Sequence, residues 1–281
     1  MIGVALGGGG ARGVAHLGVL RHLEEINLRP DIIAGTSAGS IVATLYAFGF
    51  PLDEIKNHVG TLKPTQLTDL RWGELGLMEN STLRDMLTKQ LGANVDIKDA
   101  KIPLAIHVTD LISGIGYDLL EGSVIDAVLA SCTVPGLYIP PTINDRIYVD
   151  GGLTENVPFR GLKALGATTL IGINLNGHID YNRPENALDV LMNAMDIAID
   201  SQTRRQLEYF DLTVSIDLTR FSRTSAKDSL ELQQAGYEAA RKQLPTYRFL
   251  RRHIWKKRLD RFVSQIVPDL RPVRKRLSLE R

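Results

Sequence analysis

The fold class of this chain is decided by two neighbouring stretches, IGVALGGGGARGVAHLGVLRHLEEI (residues 2–26) and PDIIAGTSAGSIVATLYAFGF (residues 30–50). Each begins with a short apolar run that ends in glycine, as a buried parallel strand does when it enters a turn. Helical periodicity follows each turn, and in the first stretch Val14, Leu17 and Leu20 fall on one face. This β-α-β-α order predicts a parallel sheet with right-handed crossovers.

The alternation of strands and helices continues to about residue 245. Branched apolar runs predict strands in IPLAIHVTD, RIYVDGG, TTLIGINL and DLTVSIDL, and helical patterns predict helices in STLRDMLTKQL, SVIDAVLASC, VPFRGLKALG and SLELQQAGYEAARKQL. A long helix is predicted over about residues 184–209. No linker or internal repeat interrupts the pattern, so we expect one three-layer α/β/α domain with a mostly parallel central sheet over residues 1–245, followed by C-terminal helices.

Charge is divided unevenly between the body of the chain and its end. The 281 residues carry a formal net charge of +1. Residues 241–281 hold 14 basic and three acidic side chains, which leaves 19 basic and 29 acidic ones in residues 1–240. An acidic body with a basic end bears on the partners of the protein rather than on its fold.

The basic end, residues 246–281, is predicted to be an amphipathic helical tail. Within YRFLRRHIWKKRLDRFVSQIV (residues 247–267) the apolar side chains fall close to one helical face, and most basic ones lie elsewhere. Two placements stay open for this face: docking on the acidic body, or contact with an anionic membrane surface through residues 246–267. No nucleic-acid partner is expected, because the tail lacks an aromatic platform or a reading motif.

The sequence predicts a cytoplasmic protein that is soluble or attached to the membrane periphery. No basic stretch precedes the first apolar run, as a signal peptide requires, and no apolar stretch approaches the roughly 18 residues of a membrane helix. The lone Cys132 cannot form an internal disulfide. It stands among small residues in ASCTVPG, which favours a packing role over reactivity.

A serine stands at the turn between the second predicted strand and its helix. Gly35, Ser37 and Gly39 form a G-x-S-x-G sequence, in which the glycines remove side chains that would clash around a sharply presented hydroxyl. The amides at the start of the helix favour negative charge at the same point. Ser37 is therefore a candidate nucleophile, and a serine N-cap in a glycine-rich turn is the alternative interpretation.

The turn after the first predicted strand, GGGGARG (residues 7–13), contains a G-x-G-x-x-G pattern at Gly8, Gly10 and Gly13. The pattern is typical of dinucleotide sites, but such sites also need an acidic residue at the end of the second strand, and none stands there. The same backbone amides could instead bind the oxyanion of a tetrahedral acyl intermediate. Arg12 would steady this loop or add positive electrostatic potential beside it.

The third motif is Asp150-Gly151-Gly152 at the end of the predicted strand RIYVD. An acid at a strand end followed by two glycines has two interpretations, a turn-forming or N-capping aspartate and a catalytic carboxylate. Because parallel strands end at one edge of a sheet, the serine turn and the glycine loop are expected to converge there.

In this order, GGGGARG, GTSAGS and DGG resemble the signatures of the patatin-like phospholipases, and the similarity covers roughly residues 1–175. The resemblance implies Ser37 as nucleophile and Asp150 as its base, in a dyad that works without histidine, metal or cofactor. It places the oxyanion hole in the glycine loop, at Gly8, Gly9 and Gly10, with Arg12 beside it. The implied substrates are acyl esters of phospholipids, lysophospholipids or neutral lipids.

Three alternatives remain open at this level. An α/β-hydrolase with a Ser-His-Asp triad would use one of the six histidines, but none follows DGG in a suitable turn; they are His16, His22, His58, His107, His178 and His253. A nucleotide-binding module, or a lipid-binding module without turnover, would keep the glycine motifs. The stretch Trp72–Met78 is a candidate acyl-binding lid, and core packing explains its apolar residues equally well.

Overall fold

A computed structural model of the chain describes residues 1–60, 75–177, 181, 183–222 and 227–244. The strands are β1 (Ile2–Leu6), β2 (Ile32–Thr36), β3 (Gly76–Met78), β4 (Leu104–Asp110), β5 (Gly116–Leu119), β6 (Gly136–Tyr138), β7 (Thr142–Ile143), β8 (Arg146–Asp150), β9 (Thr169–Asn174) and β10 (Leu212–Ser215). The helices are α1 (Ala15–Glu25), α2 (Ala38–Ala47), α3 (Leu52–Gly60), α4 (Ser81–Leu91), α5 (Val124–Ser131), α6 (Gly152–Glu155), α7 (Arg160–Ala164), α8 (Ala187–Gln206) and α9 (Ser229–Gln243). Short 3₁₀ helices lie at Gly10–Val14, Ile97–Asp99 and Leu207–Tyr209.

The central sheet is mostly parallel, which confirms the predicted fold class. Its strands run in the order β10-β9-β1-β2-β4, and each neighbouring pair in that series is parallel. Beyond them, β5 and β8 pair antiparallel with β4, and β7 pairs antiparallel with β8. The antiparallel edge was not predicted, because a strand's own residues do not reveal the direction of its partner.

Strands β2 and β8 share one edge of β4 and run towards each other along it. The Ile33 amide donates to the Pro103 carbonyl (3.0 Å), and the Leu111 amide donates to the Ile147 carbonyl (2.8 Å). Pro103 and Leu111 are an even number of residues apart, so their backbone groups point to the same edge of the strand. The end of β2 and the end of β8 pair with successive residues of β4. Two sequence-distant strand ends therefore meet in the sheet.

Helices cover both faces of the sheet, as the three-layer prediction requires. Ala5, Ala34 and Ala105, from three neighbouring strands, share a buried cluster with Leu162 of α7. Side chains alternate between the two faces of a strand, so the buried neighbours of these alanines face the opposite layer. Helix α2 packs against β1 and β2. The connections through α1 and α2 are crossovers between parallel strands and advance in one direction along the sheet. The connection through α7 leads back from the antiparallel β8 to β9, on the other side of β1.

Helices α1 and α9 cross in close contact at two glycines, one on each helix. A Cβ atom on Gly18 would lie 1.9 Å from the Gln233 carbonyl oxygen, and one on Gly236 would lie 1.9 Å from the Ala15 carbonyl oxygen. Distances this short mean that backbone touches backbone at the crossing. Helix α9 is thereby held against α1.

Gly236→Ala is therefore expected to destabilise the fold, by about 2–4 kcal/mol in free energy of unfolding. The added methyl group forces the two helices apart, and the roughly 1 kcal/mol gained in helix propensity does not offset that. Urea denaturation followed by circular dichroism measures the change. Gln234→Ala, on the exposed side of α9, is the matched control, and equal stability of the two variants would contradict the close crossing.

Two predicted features lie wholly or partly outside the described residues. These are the tail, residues 246–281, and the first part of the lid candidate, up to residue 74. Residues Gly76–Met78 of the lid candidate form β3, which pairs with β6. Across the described ranges, no helix is long and apolar enough to span a membrane.

Candidate active site

The serine turn lies at the end of β2 and bends sharply. Ser37 has φ 52° and ψ −127°, a left-handed conformation that residues other than glycine rarely adopt. The flanking glycines are required by their surroundings: a Cβ atom on Gly35 would lie 2.5 Å from the Gly39 carbonyl oxygen, and one on Gly39 would lie 2.1 Å from the Leu6 carbonyl oxygen. The turn is held in this shape by close contact with β1.

The Ser37 side chain does not cap the helix that follows. Ser37 occupies the N-cap position of α2, yet its hydroxyl makes no capping hydrogen bond. The residue is partly exposed, whereas its neighbours Thr36 and Ala38 are buried. The N-cap interpretation therefore does not account for the hydroxyl, which stays available for another partner.

That partner is Asp150, at the end of β8. Thr36 pairs with His107 of β4, and Asp150 pairs with Val108, so the serine and the carboxylate meet at one level of the sheet. The Ser37 hydroxyl lies near enough to the Asp150 carboxylate to lower the pKa of that group. The carboxylate also accepts a hydrogen bond from the Gly152 amide (2.8 Å), which is the turn-forming interaction considered from sequence.

Burial controls the ionisation of Asp150. The side chain is only 8% exposed, and its loss of hydration raises its pKa to about 6. The nearby Ser37 hydroxyl and the hydrogen bond from the Gly152 amide act in the opposite direction and lower this pKa. Asp150 is consequently ionised near neutral pH but retains the proton affinity that a general base needs.

The glycine loop packs on the serine turn. A Cβ atom on Gly8 would lie 3.0 Å from Ser37 Cβ, and one on Gly13 would lie 2.8 Å from Ala38 Cβ. Among the described residues, the amides of Gly9 and Gly10 have no hydrogen-bond acceptor. Both amides are therefore available as donors on the loop that packs against the Ser37 turn.

The Gly8 amide, in contrast, is already engaged. It donates to the backbone carbonyl of Asn156 (3.2 Å) and to its Oδ1 atom (3.1 Å). Gly8 therefore anchors the loop instead of offering a free donor. Asn156 was not singled out from sequence, because its partner lies 148 residues earlier in the chain.

Arg12 is buried, and its guanidinium donates from Nε (3.0 Å) and Nη2 (2.7 Å) to the Phe221 carbonyl. These bonds tie the loop to the segment after β10. These bonds agree with the first of the two roles considered for Arg12, which is to steady the loop.

The four described histidines have other partners than the serine. His16 contacts the Gly7 carbonyl through Nε2 (2.7 Å), and its complete burial lowers its pKa to about 4. His107 contacts Asp118 through Nδ1 and Thr154 through Nε2. His22 and His58 pack edge-on against aromatic rings, while His178 and His253 lie outside the described residues. No described histidine hydrogen-bonds Ser37, so the triad gains no support here.

Cys132 behaves as a packing residue. It is buried, its Sγ atom lies 3.8 Å from Ser40 Oγ, and burial raises its thiol pKa far above the ordinary value. Within the described ranges, no group of three or more histidine, cysteine or acidic side chains could hold a metal ion.

Two backbone anchors of the site were missed from sequence. The Ser37 amide donates to Ser131 Oγ (2.8 Å), and the Asp150 amide donates to the Thr133 carbonyl (2.8 Å). Both acceptors belong to ASCTVPG, the segment at the end of α5. Its run of small residues was the available signal, and only the packing of α5 reveals what the segment holds.

Comparison with known proteins gives a consistent family assignment. Residues 4–163 match the family model described as patatin-like phospholipase. "Lysophospholipase NTE1" of Eremothecium gossypii is 32% identical over 189 residues, which are 65% of this chain and 12% of that protein. An uncharacterized NTE family protein of Mycobacterium tuberculosis is 33% identical over 181 residues, which are 63% of this chain and 49% of that protein. The chain thus spans half or less of the length of these relatives.

A solved structure shares the fold. The crystal structure of VipD from Legionella pneumophila superimposes with a TM-score of 0.59 and 16% identity, over 86% of this chain and 66% of that chain. At such low identity the likeness concerns the fold alone.

Proposed function

This chain belongs to the patatin-like phospholipase family, and on that premise we propose that it hydrolyses acyl esters of lipids, with Ser37 as nucleophile and Asp150 as general base. The observation that carries the proposal is the meeting of β2 and β8, which sets the Ser37 hydroxyl against a buried carboxylate. The name lysophospholipase, borne by relatives, makes a lysophospholipid the first substrate to test.

The proposed reaction has two steps. Asp150 takes the Ser37 proton as the hydroxyl oxygen attacks the ester carbonyl, and the tetrahedral oxyanion accepts hydrogen bonds from the Gly9 and Gly10 amides. Collapse breaks the ester bond, the alcohol leaves with the proton from Asp150, and the acyl group stays on Ser37. Water then attacks the acyl-enzyme with Asp150 again as base, which releases the fatty acid and restores the serine.

The surface beside the site supports a lipid substrate. The turn between β4 and β5 continues past the level of Asp150 and bears three exposed aliphatic side chains. Leu111 is 46% exposed, Ile112 79% and Ile115 54%. Exposed aliphatic side chains grouped at the edge of a site mark a surface for apolar partners. We name this turn, residues 111–115, the apolar rim, and assign it contact with the lipid phase that presents the substrate.

Ile112→Asp is expected to lower hydrolysis of lipid in vesicles about tenfold, while hydrolysis of a short soluble ester stays unchanged. Only the vesicle assay requires the rim to contact lipid, and a charge there opposes that contact. The matched control is Leu230→Asp, because Leu230 is similarly exposed (71%) but lies beside Arg21 and Glu25, near the end of α1. If both variants lost vesicle hydrolysis equally, or if Ile112→Asp lost activity equally in both assays, the rim would have no part in lipid contact.

The division of the chain at residue 245 remains part of the proposal. Residues 1–245 would carry hydrolysis, and the basic tail, residues 246–281, would bind either the acidic body or an anionic membrane. Vesicle co-sedimentation of the whole chain, with anionic and with neutral lipid, distinguishes these placements, because only membrane contact depends on the lipid charge.

Fluorophosphonate labelling with peptide mapping tests the proposed function. The reagent forms a covalent bond with an activated serine, so wild-type protein is expected to carry the label on Ser37 and to hydrolyse a short-chain ester. Labelling at another serine would show that Ser37 is not the nucleophile. Neither labelling nor turnover of esters and lysophospholipids would favour a binding role without catalysis.

A further inference from the structure

A side chain interrupts the hydrogen-bond ladder where β2 leaves the sheet. The Ile33 amide donates to the Pro103 carbonyl of β4 (3.0 Å). In a parallel ladder such bonds recur at every second residue, so two steps further along the Ser37 amide would meet the His107 carbonyl. Instead, the Ser37 amide donates to Ser131 Oγ (2.8 Å), and the Ser131 hydroxyl donates to the His107 carbonyl (2.8 Å).

We propose that Ser131 is a positioning residue for the nucleophile, with its hydroxyl inserted between β2 and β4 so that Ser37 can turn out of the sheet. A direct bond from Ser37 to His107 would draw the serine into an extended strand. The inserted hydroxyl satisfies both backbone groups and leaves Ser37 in its left-handed conformation. The inference rests on the proposed function, since it assigns Ser131 to the same site.

The surroundings fix Ser131 firmly. It is the last residue of α5 and is fully buried. Two residues later, the Thr133 carbonyl accepts the Asp150 amide. The end of α5 therefore holds the backbones of both the nucleophile and the base, and it sets their separation.

Removal of this hydroxyl has a specific consequence. In Ser131→Ala either two buried backbone groups lose their partners, or the ladder closes and Ser37 moves away from Asp150. Displacement of a reacting group by about 1 Å can cost roughly 100-fold in rate. The apolar rim is untouched, so we expect kcat to fall about 100-fold while KM stays within about twofold.

The experiment compares four whole-chain proteins: wild type, Ser131→Ala, Ser131→Cys and Thr203→Val. The Thr203 hydroxyl is likewise buried and donates to a carbonyl (Ile199, 2.7 Å), but it lies on α8 and does not contact the serine. Ser131→Cys keeps the approximate volume and weakens both hydrogen bonds, so it serves if the alanine variant does not fold. The measurements are kcat and KM on a short ester, melting temperature, and NMR-detected hydrogen exchange of the Ser37 amide.

The inference is supported if both Ser131 variants lose kcat with KM retained and exchange the Ser37 amide faster than wild type. Thr203→Val, at comparable melting temperature, should show neither change. It is overturned if a folded Ser131 variant keeps kcat within about threefold and protects the amide like wild type. If the wild type itself is inert, the proposed function fails, and amide exchange alone decides whether Ser131 holds the turn.

Discussion

Ser37→Ala is expected to reduce ester hydrolysis at least about 10³-fold and to eliminate fluorophosphonate labelling. No acyl-enzyme can form without the hydroxyl, and the free Gly9 and Gly10 amides can then act only on direct attack by water. Alanine fits the same turn, so circular dichroism and the melting curve should match those of wild type.

The serine control is Ser81→Ala, on an exposed position at the start of α4. It should keep full activity and the label on Ser37. Residual turnover by Ser37→Ala above about a tenth of wild type would show that another group is the nucleophile.

Asp150→Asn is expected to lower kcat about 10²–10⁴-fold, because the amide keeps the shape of the carboxylate but cannot accept the serine proton. In wild type the same group should set the acid limb of the rate profile. The pKa of Asp150 is raised to about 6 by burial, so activity should fall as the pH drops through about 6. A pH profile of kcat/KM measures this limb.

The same substitution is expected to stabilise the fold above neutral pH. Unfolded aspartate titrates near pKa 3.9, below the folded value of about 6, so the native state binds the proton more tightly. Wild-type stability therefore falls as the pH rises from about 4 to about 6. Above about pH 6 the charged carboxylate lowers the free energy of unfolding by roughly 1–3 kcal/mol. Asparagine carries no such cost, so Asp150→Asn should melt higher than wild type at pH 8 and equally at about pH 4.

These two readouts separate a catalytic carboxylate from a structural one. If Asp150 only formed the turn, its substitution would destabilise the fold, and its ionisation would not set the pH dependence of the rate. An inactive Asp150→Asn variant that melts lower than wild type at pH 8 would therefore contradict the proposed role of burial.

The local parts of the site could be predicted from sequence because each is a short pattern. The apolar run, the glycine turn and the helical repeat around Ser37 lie within about fifteen residues, and each limits the backbone there. The strand that ends at Asp150 was predicted on the same grounds. Its direction was not, because an antiparallel and a parallel strand present similar side chains.

By itself, the sequence determined the fold class, the serine turn, the glycine loop and the family. Only the tertiary structure decided that β8 meets β2 head-on and that Ser131 enters the ladder. It also decided that the Gly8 amide is an anchor, while those of Gly9 and Gly10 find no acceptor in the part of the chain that the structure describes. The physical reason is the distance along the chain over which each kind of interaction acts. Strand propensity and turn chemistry act between near neighbours, whereas hydrogen bonds across 94 and 148 residues depend on how whole elements pack.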